Sequence, residues 1–388
     1  YLIYSSIMIL ALGVLTSTTL LALFHILIAV PSIYFIPKAK YKTFPKSAWV
    51  LLGMTAIIVL SVLVTQDIAI KGYKPISKAK YFLFGFLSIA PMAWYFKNHF
   101  NEKKISYLLY AFCIATTVAS FGGISGIWFG YNPILMKSVF ETRNGGLFGM
   151  LMNYAHNISY FLIIVTGLVI YRKEAQKYIN KNFLYVVFFI NLLGLYMTYT
   201  RGAWLGYLAG VPFFYFKNNK KWFATAILAI LAVGAMAYFG AGEAMKRKDY
   251  DATRLGQWQA ATFAFKERPF LGYGYLNFEE HSSEIKKKYN LLAPDFRGHA
   301  HNNFFEMLGS TGGLGFVAFV LWLGIWFKET LDRSDLMARL SVPFIITFVV
   351  GGLTQSTISL GINLFFVMGV YALVSICNVE TKDTISQV

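Results

Sequence analysis

Residues Leu2–Ile36 read LIYSSIMILALGVLTSTTLLALFHILIAVPSIYFI, without a single Lys, Arg, Asp or Glu. A hydrocarbon core is crossed by about 20 apolar residues in a helix. The stretch therefore holds two spans, the first of them short, with a tight turn expected near Leu15–Thr19. Further apolar runs follow at residues 48–65, 80–96, 105–125, 146–171, 183–199, 203–216, 222–240, 303–327, 337–356 and 359–377. These lengths predict an all-α polytopic integral membrane protein with about 12 transmembrane helices. The run at 203–216 is short for a span.

Composition agrees. Of the 388 residues, 57% are hydrophobic and 14% charged, with 36 Phe, 25 Tyr and 8 Trp. That apolar excess does not fit inside one water-soluble core, which excludes a soluble enzyme and a disordered chain. Cys113 and Cys377 lie in apolar runs and read as small core residues, so no disulfide scaffold is expected. Tyr1 in place of Met leads us to expect that a short N-terminal piece is missing, and no cleavable signal pattern is visible. The 35 Lys and Arg give a net charge of +17 and sit between the apolar runs. A nucleic-acid partner would need a basic face on a soluble module, for which there is no room.

Short basic loops set the orientation. Those containing Lys38–Lys46, Lys97–Lys104, Arg172–Lys181, Lys217–Lys221 and Lys328–Arg339 alternate with less basic ones and are assigned to the cytoplasm, with both termini. The chain divides into a first group of spans at 1–240, a large periplasmic loop at 241–302, and the remaining spans with a cytoplasmic tail at 303–388. Within the loop, Leu255, Trp258, Ala261, Thr262 and Phe265 recur at helical spacing, with Arg254, Gln257 and Gln259 on other faces. The pattern predicts an amphipathic helix on the bilayer surface, ended by Pro269, Gly272 and Gly274.

Few residues can carry chemistry. There is no phosphate-cradling Gly-Lys-Ser/Thr loop, no Gly-x-Ser-x-Gly and no Cys-x-x-Cys. Arg201, in Thr200-Arg201-Gly202-Ala203-Trp204, falls in an outer turn between spans. Its guanidinium suits a phosphate, or equally snorkels at the interface. His299-Ala300-His301-Asn302 closes the outer loop. It reads as a zinc pair helped by His281, Asp295 or Glu306, as a helix-capping segment, or as a general base. Glu306 lies one turn past Asn302, placed to orient a histidine or to pair with Arg201 or Arg254. Gly309, Gly312, Gly313 and Gly315 permit either close helix packing or a broken helix. Lys286, Lys287 and Lys288 form a solvated face or a patch that attracts an anionic acceptor.

Four stretches taken together resemble the bacterial O-antigen ligases and the related O-antigen polymerases and O-oligosaccharyltransferases. The ligase motif has His, then Asn, Ser or Gln, nine residues, Gly, two residues and Gly, Thr or Tyr. His301, Asn302, Gly312 and Gly315 fit it. Arg143-Asn144-Gly145-Gly146-Leu147-Phe148, Thr200–Trp204, and Arg254 through Pro269 to Gly272-x-Gly274 are similar to the same family. The resemblance implies a glycosyltransferase of the bacterial inner membrane, with its active site facing the periplasm. It would move a polysaccharide from undecaprenyl diphosphate to a sugar hydroxyl of lipid A–core, with inversion and with neither metal nor other cofactor. His301 would be the base, with Arg201 and Arg254 on the diphosphate. Asn302, Glu306, Arg143 and His299 would support them, and Lys286–Lys288 would meet the acceptor. The rivals are an O-antigen polymerase, expected to have two substantial outer loops, and an oligosaccharyltransferase, which often carries an added soluble region. A transporter would instead place ionisable groups near the midplane.

Overall fold

The structure is a computed structural model that describes residues 1–139, 142–147, 150–217, 219–240, 248–291 and 295–376. Phe148, Cys377 and the tail from 377 lie outside the described residues. The chain is an all-α membrane protein. The charge-free opening becomes α1 (Leu2–Gly13) and α2 (Thr18–Phe35), turning at residues 14–17, with Ser17 capping α2. Next come α3 (Lys46–Val64), α4 (Ile76–Leu87) and α5 (Ile89–His99). The run expected as one span at 80–96 is thus two helices. Pro91 lacks the N–H that would bond the Leu87 carbonyl. That carbonyl accepts instead from the Ser32 hydroxyl of α2, at 3.1 Å.

The long α6 (Glu102–Phe129) is bounded by its Asn101 cap and by left-handed Gly130. After it come a two-residue hairpin (Tyr131–Asn132 with Lys137–Ser138), α7 (Leu151–Ile170), α8 (Arg172–Ala175) and α9 (Lys181–Tyr196). The short run at 203–216 is α10 (Arg201–Gly210) extended by a 3₁₀ turn, Val211–Phe214. Then follow α11 (Lys220–Gly240), α12 (Lys248–Glu267), α13 (Phe278–Lys288), α14 (Asn303–Leu331), α15 (Leu336–Gly352) and α16 (Gly361–Ser375).

Among the described residues five helices are long and apolar enough to cross a membrane: α2, α3, α6, α7 and α14. The helices α1, α9, α15 and α16 are apolar but shorter. The central member is α7, whose apolar window is 83% buried against 39–44% for the other four. Around it, α3 packs along α14 and α10 along α15. At one end of the bundle Glu329 accepts from the Ser47 hydroxyl (2.6 Å), Arg333 donates to the Val374 carbonyl, and Arg339 pairs with Glu174. At the other end the segments 65–75 and 353–360 meet the lid formed by α12, α13 and their flanking loops.

The stripe expected on the surface helix is corrected by its packing. Leu255 is 54% exposed, while Gln257 is fully buried with Ala260, Ala261 and Ala264. Small side chains let α12 lie close against α14. Gln257 belongs on that face because its amide donates to the Phe296 carbonyl, at 2.7 Å.

Candidate active site

The site is built where the lid loop enters α14. Asn302 caps that helix, its side chain accepting from the Phe304 and Phe305 amides (2.8 and 3.3 Å). Its amide donates to Leu353 O and its backbone N–H to the Ser356 hydroxyl, both at 3.1 Å. Asn303 similarly bonds Thr357 and the Ile358 N–H. The first turn of α14 is therefore laced to the α15–α16 connection at residues 353–358.

Ala300, between the two histidines, is held at both backbone groups. Its N–H donates to buried Glu306 (2.8 Å), and its carbonyl accepts from the Trp258 indole of α12 (3.0 Å). The other Glu306 oxygen accepts from Ser310 at 3.1 Å. Glu306 thus orients the histidines through the backbone between them, bonded to Ala300 and Ser310. His301 itself has φ 51°, a left-handed conformation costing a non-glycine residue roughly 1–2 kcal/mol. The clamped neighbours on either side hold it there.

Gln355 joins the two rings. Its Oε1 lies 2.8 Å from His301 Nδ1, and its Nε2 lies 3.3 Å from His299 Nε2. The amide has one accepting and one donating end, so His301 presents Nδ1–H to it and the free lone pair of the neutral ring is on Nε2. On the far side, His299 Nδ1 lies 4.0 Å from Glu279, which with Glu280 pairs with Lys71. Burial lowers the pKa of His301, helped by the Arg254 charge and opposed by the Gln355 bond. Burial lowers His299 to about 4, helped by the charges of His301 and Lys71. Both rings are neutral at pH 7.

The arginines divide. Arg143 spends its guanidinium on the turn before α10, donating to Thr198 O (2.9 Å), Tyr199 O (3.0 Å) and the Thr200 hydroxyl (2.9 Å). Arg201, the first residue of α10, is exposed. Its neighbour Gly202 lies against Thr354, whose Oγ1 would be 2.0 Å from an added Cβ. That close approach brings Arg201 beside the connection carrying Gln355. Arg254 is near enough for its charge to act on His301.

Of the glycines of α14, Gly312 forms a break, while Gly309 packs close, an added Cβ there lying 3.3 Å from Ala261 Cα of α12. Gly312 has φ 62° and ψ −163° inside the helix, and the lid loop fills the gap. The Tyr273 N–H bonds Gly309 O (3.0 Å), and the amides of Gly313 and Leu314 bond Pro269 O (2.7 Å) and Phe270 O (3.2 Å). A Cβ on Gly312 would meet the Phe270 backbone at 2.5 Å, and one on Gly272 would meet Gly312 N at 2.6 Å. The loop replaces the helical bonds lost at the break.

Lys286–Lys288 do not form one exposed face. Lys286 is buried and donates to Phe296 O (2.6 Å), where Gln257 also donates, and burial lowers its pKa. Lys287 pairs with Asp295 (2.9 Å) and Lys288 with Glu267 (2.8 Å). His281 has both nitrogens engaged, by Glu284 and Ile68 O, so it does not converge with His299 and His301. Among the described residues no group of three or more His, Cys, Asp or Glu could hold a metal ion.

With the capped helix, its glycine break and the two arginines in place, a comparison with known families is specific. Residues 186–320 match the sequence model of the O-antigen ligase family. The matched segment contains Arg201, Arg254, the lid, His299–Asn302 and the Gly312 break. The Arg143–Phe148 stretch lies before it. Members of the O-antigen ligase family are glycosyltransferase-like enzymes acting on lipid-linked sugars. No curated protein matches the chain. Gln355 lies beyond the matched segment and was missed in the sequence, although Thr354-Gln355-Ser356-Thr357 is a polar run at the end of an apolar span. Trp258, read as an apolar face residue, serves through its N–H.

Proposed function

We propose that this protein is an O-antigen ligase of the bacterial inner membrane. It transfers a glycan from undecaprenyl diphosphate to a sugar hydroxyl of lipid A–core at the periplasmic face. The observation that carries the reading is the His301 ring, neutral, fixed at Nδ1 by Gln355 and set near Arg254. Its Nε2 takes the proton of the acceptor hydroxyl as that oxygen attacks the anomeric carbon. The bond to the diphosphate breaks from the opposite face, with inversion. Arg201 and Arg254 meet the charge developing on the leaving group by forked hydrogen bonds, without a metal. Asn302, Glu306 and His299 hold His301 in place, and Arg143 holds the turn leading to Arg201. The twelve-span topology completes the reading, with α4–α5 and α10 with its 3₁₀ turn each counted as one crossing.

The test is transfer by the purified protein in nanodiscs, offered undecaprenyl-diphosphate-linked glycan and lipid A–core. Glycosylated lipid A–core is the expected product. Lengthening of the donor glycan would make the protein a polymerase, and glycan on an added acceptor protein would make it an oligosaccharyltransferase. Topology is tested separately. Tags at Lys42, Lys177 and Lys220 should report cytoplasm and one at Lys287 periplasm; Lys177 and Lys287 on one side would end the model.

A further inference from the structure

Far from His301, an apolar cavity of about 480 Å³ opens among α1, α5, α6, α7, α15 and α16. Its volume falls within the range of about 300–1,000 Å³ typical of ligand sites. It runs along α15 from Leu336 to Phe344, about 12 Å at 1.5 Å per residue. Carbon lines it, from Leu109, Phe112 and Leu168 to Phe366. Its polar residues include Tyr178 and Asp335, and Asp335 is neutralised by a fork from Arg333 (2.8 and 2.9 Å). The wall has no polar cluster to hold water, so an apolar chain is the occupant that fits.

The mouth says which apolar chain. Tyr178 and Ile105 line the cavity at the bundle end that carries the short basic loops, next in sequence to Lys177 and Lys104. The Lys177 ammonium lies 4.6 Å from the centre of the Tyr178 ring. Lys104 donates to His99 O (2.6 Å) and lies 5.2 Å from the Tyr95 ring. Lys97 in the last turn of α5 and Lys103 in the first turn of α6 add to them, against Glu102, 4.0 Å from Lys177, and Glu174, which pairs with Arg339. An apolar slot under a cationic rim matches a molecule with a hydrocarbon tail and an anionic head. Basic pockets between membrane helices bind anionic lipid headgroups for this reason. We propose that the cavity is a structural lipid site holding one acyl chain of an anionic glycerophospholipid, its headgroup against Lys104 and Lys177. The site lies outside the catalytic apparatus and does not depend on the proposed transfer reaction.

The test is native mass spectrometry with lipid extraction on protein purified in mild detergent. About one phospholipid per chain is expected, drawn preferentially from the anionic pool. Leu109→Trp and Ala11→Phe fill the slot from α6 and α1 and should each abolish that retention. Lys104→Glu and Lys177→Glu leave the walls intact and should each cut the anionic preference about fivefold. The charge variants keep the proposal testable should the filling variants fail to fold. Wild-type protein without retained lipid, a preference unmoved by both charge variants, or undiminished retention in a folded Leu109→Trp would overturn the proposal. So would finding that detergent or a second protein chain occupies the slot.

Discussion

The runs Lys286–Lys288 and His299–Asn302 both belong to the lid, and both stand out in the sequence by their polar side chains. In the first, the side chains are committed: Lys286 to Phe296 O, Lys287 to Asp295, Lys288 to Glu267. In the second, the backbone is committed, through both polar groups of Ala300 and the N–H of Asn302. The His301 ring is then fixed at one nitrogen by Gln355. A run whose side chains hold the lid together is architecture. A run whose backbone is held so that a ring can be aimed is equipped for chemistry.

The largest expected effect lies in the second run. His301→Ala should lose transfer by about 10²–10⁴-fold while still binding the lipid diphosphate, since a positioned base contributes that much. His299→Ala should keep most activity. The assay is transfer in nanodiscs with chelator present. Equal losses in both variants would erase the distinction between base and support, and chelator inhibition reversed by zinc would give the site to a metal. Next come Arg201→Lys and Arg254→Lys. Each should cost on the order of 10²-fold at unchanged protein level, because lysine keeps the charge but loses the planar fork. Near-normal transfer by Arg201→Ala and Arg254→Ala would make both mere interfacial residues.

Gln355 sharpens the comparison through pH. The His301 pKa lies below its ordinary 6.5, and a base works when neutral. Activity should therefore climb as pH rises through that lowered pKa and be level by neutrality. Gln355→Glu puts a negative charge beside Nδ1, favours imidazolium and should move the acid limb to higher pH. Gln355→Leu should lower kcat about tenfold by releasing the tautomer. A pH profile unmoved by Gln355→Glu would mean that this residue does not act on His301. The smallest effects are expected in the lysine run. Lys287→Ala and Lys288→Ala should stay within about twofold in transfer and in acceptor affinity at low salt, as exposed ion pairs contribute little. Lys286→Ala should lower thermal stability more than either, since it empties a buried bond to Phe296. A large loss of acceptor affinity in the first two would restore the run to the binding surface.

The helical, membrane-embedded character of the chain was legible from the apolar runs alone, because hydrocarbon forces every backbone polar group into internal bonds. Each described run is helical, and the turn after α1 falls at residues 14–17, against the expected Leu15–Thr19. His301, Asn302 and Gly312 were legible as a spaced motif, since a cap and a helix break are local. Three features were decided only by tertiary structure. The face of α12 turned on where Gln257 found an acceptor, which is a carbonyl 39 residues away. The fate of Lys286–Lys288 turned on partners from other segments. Gln355 comes to His301 across 54 residues, in a bond that periodicity and spacing do not encode. Local pattern determines which backbone groups a helix satisfies by itself. Only the packed chain decides which side chains meet the groups left over.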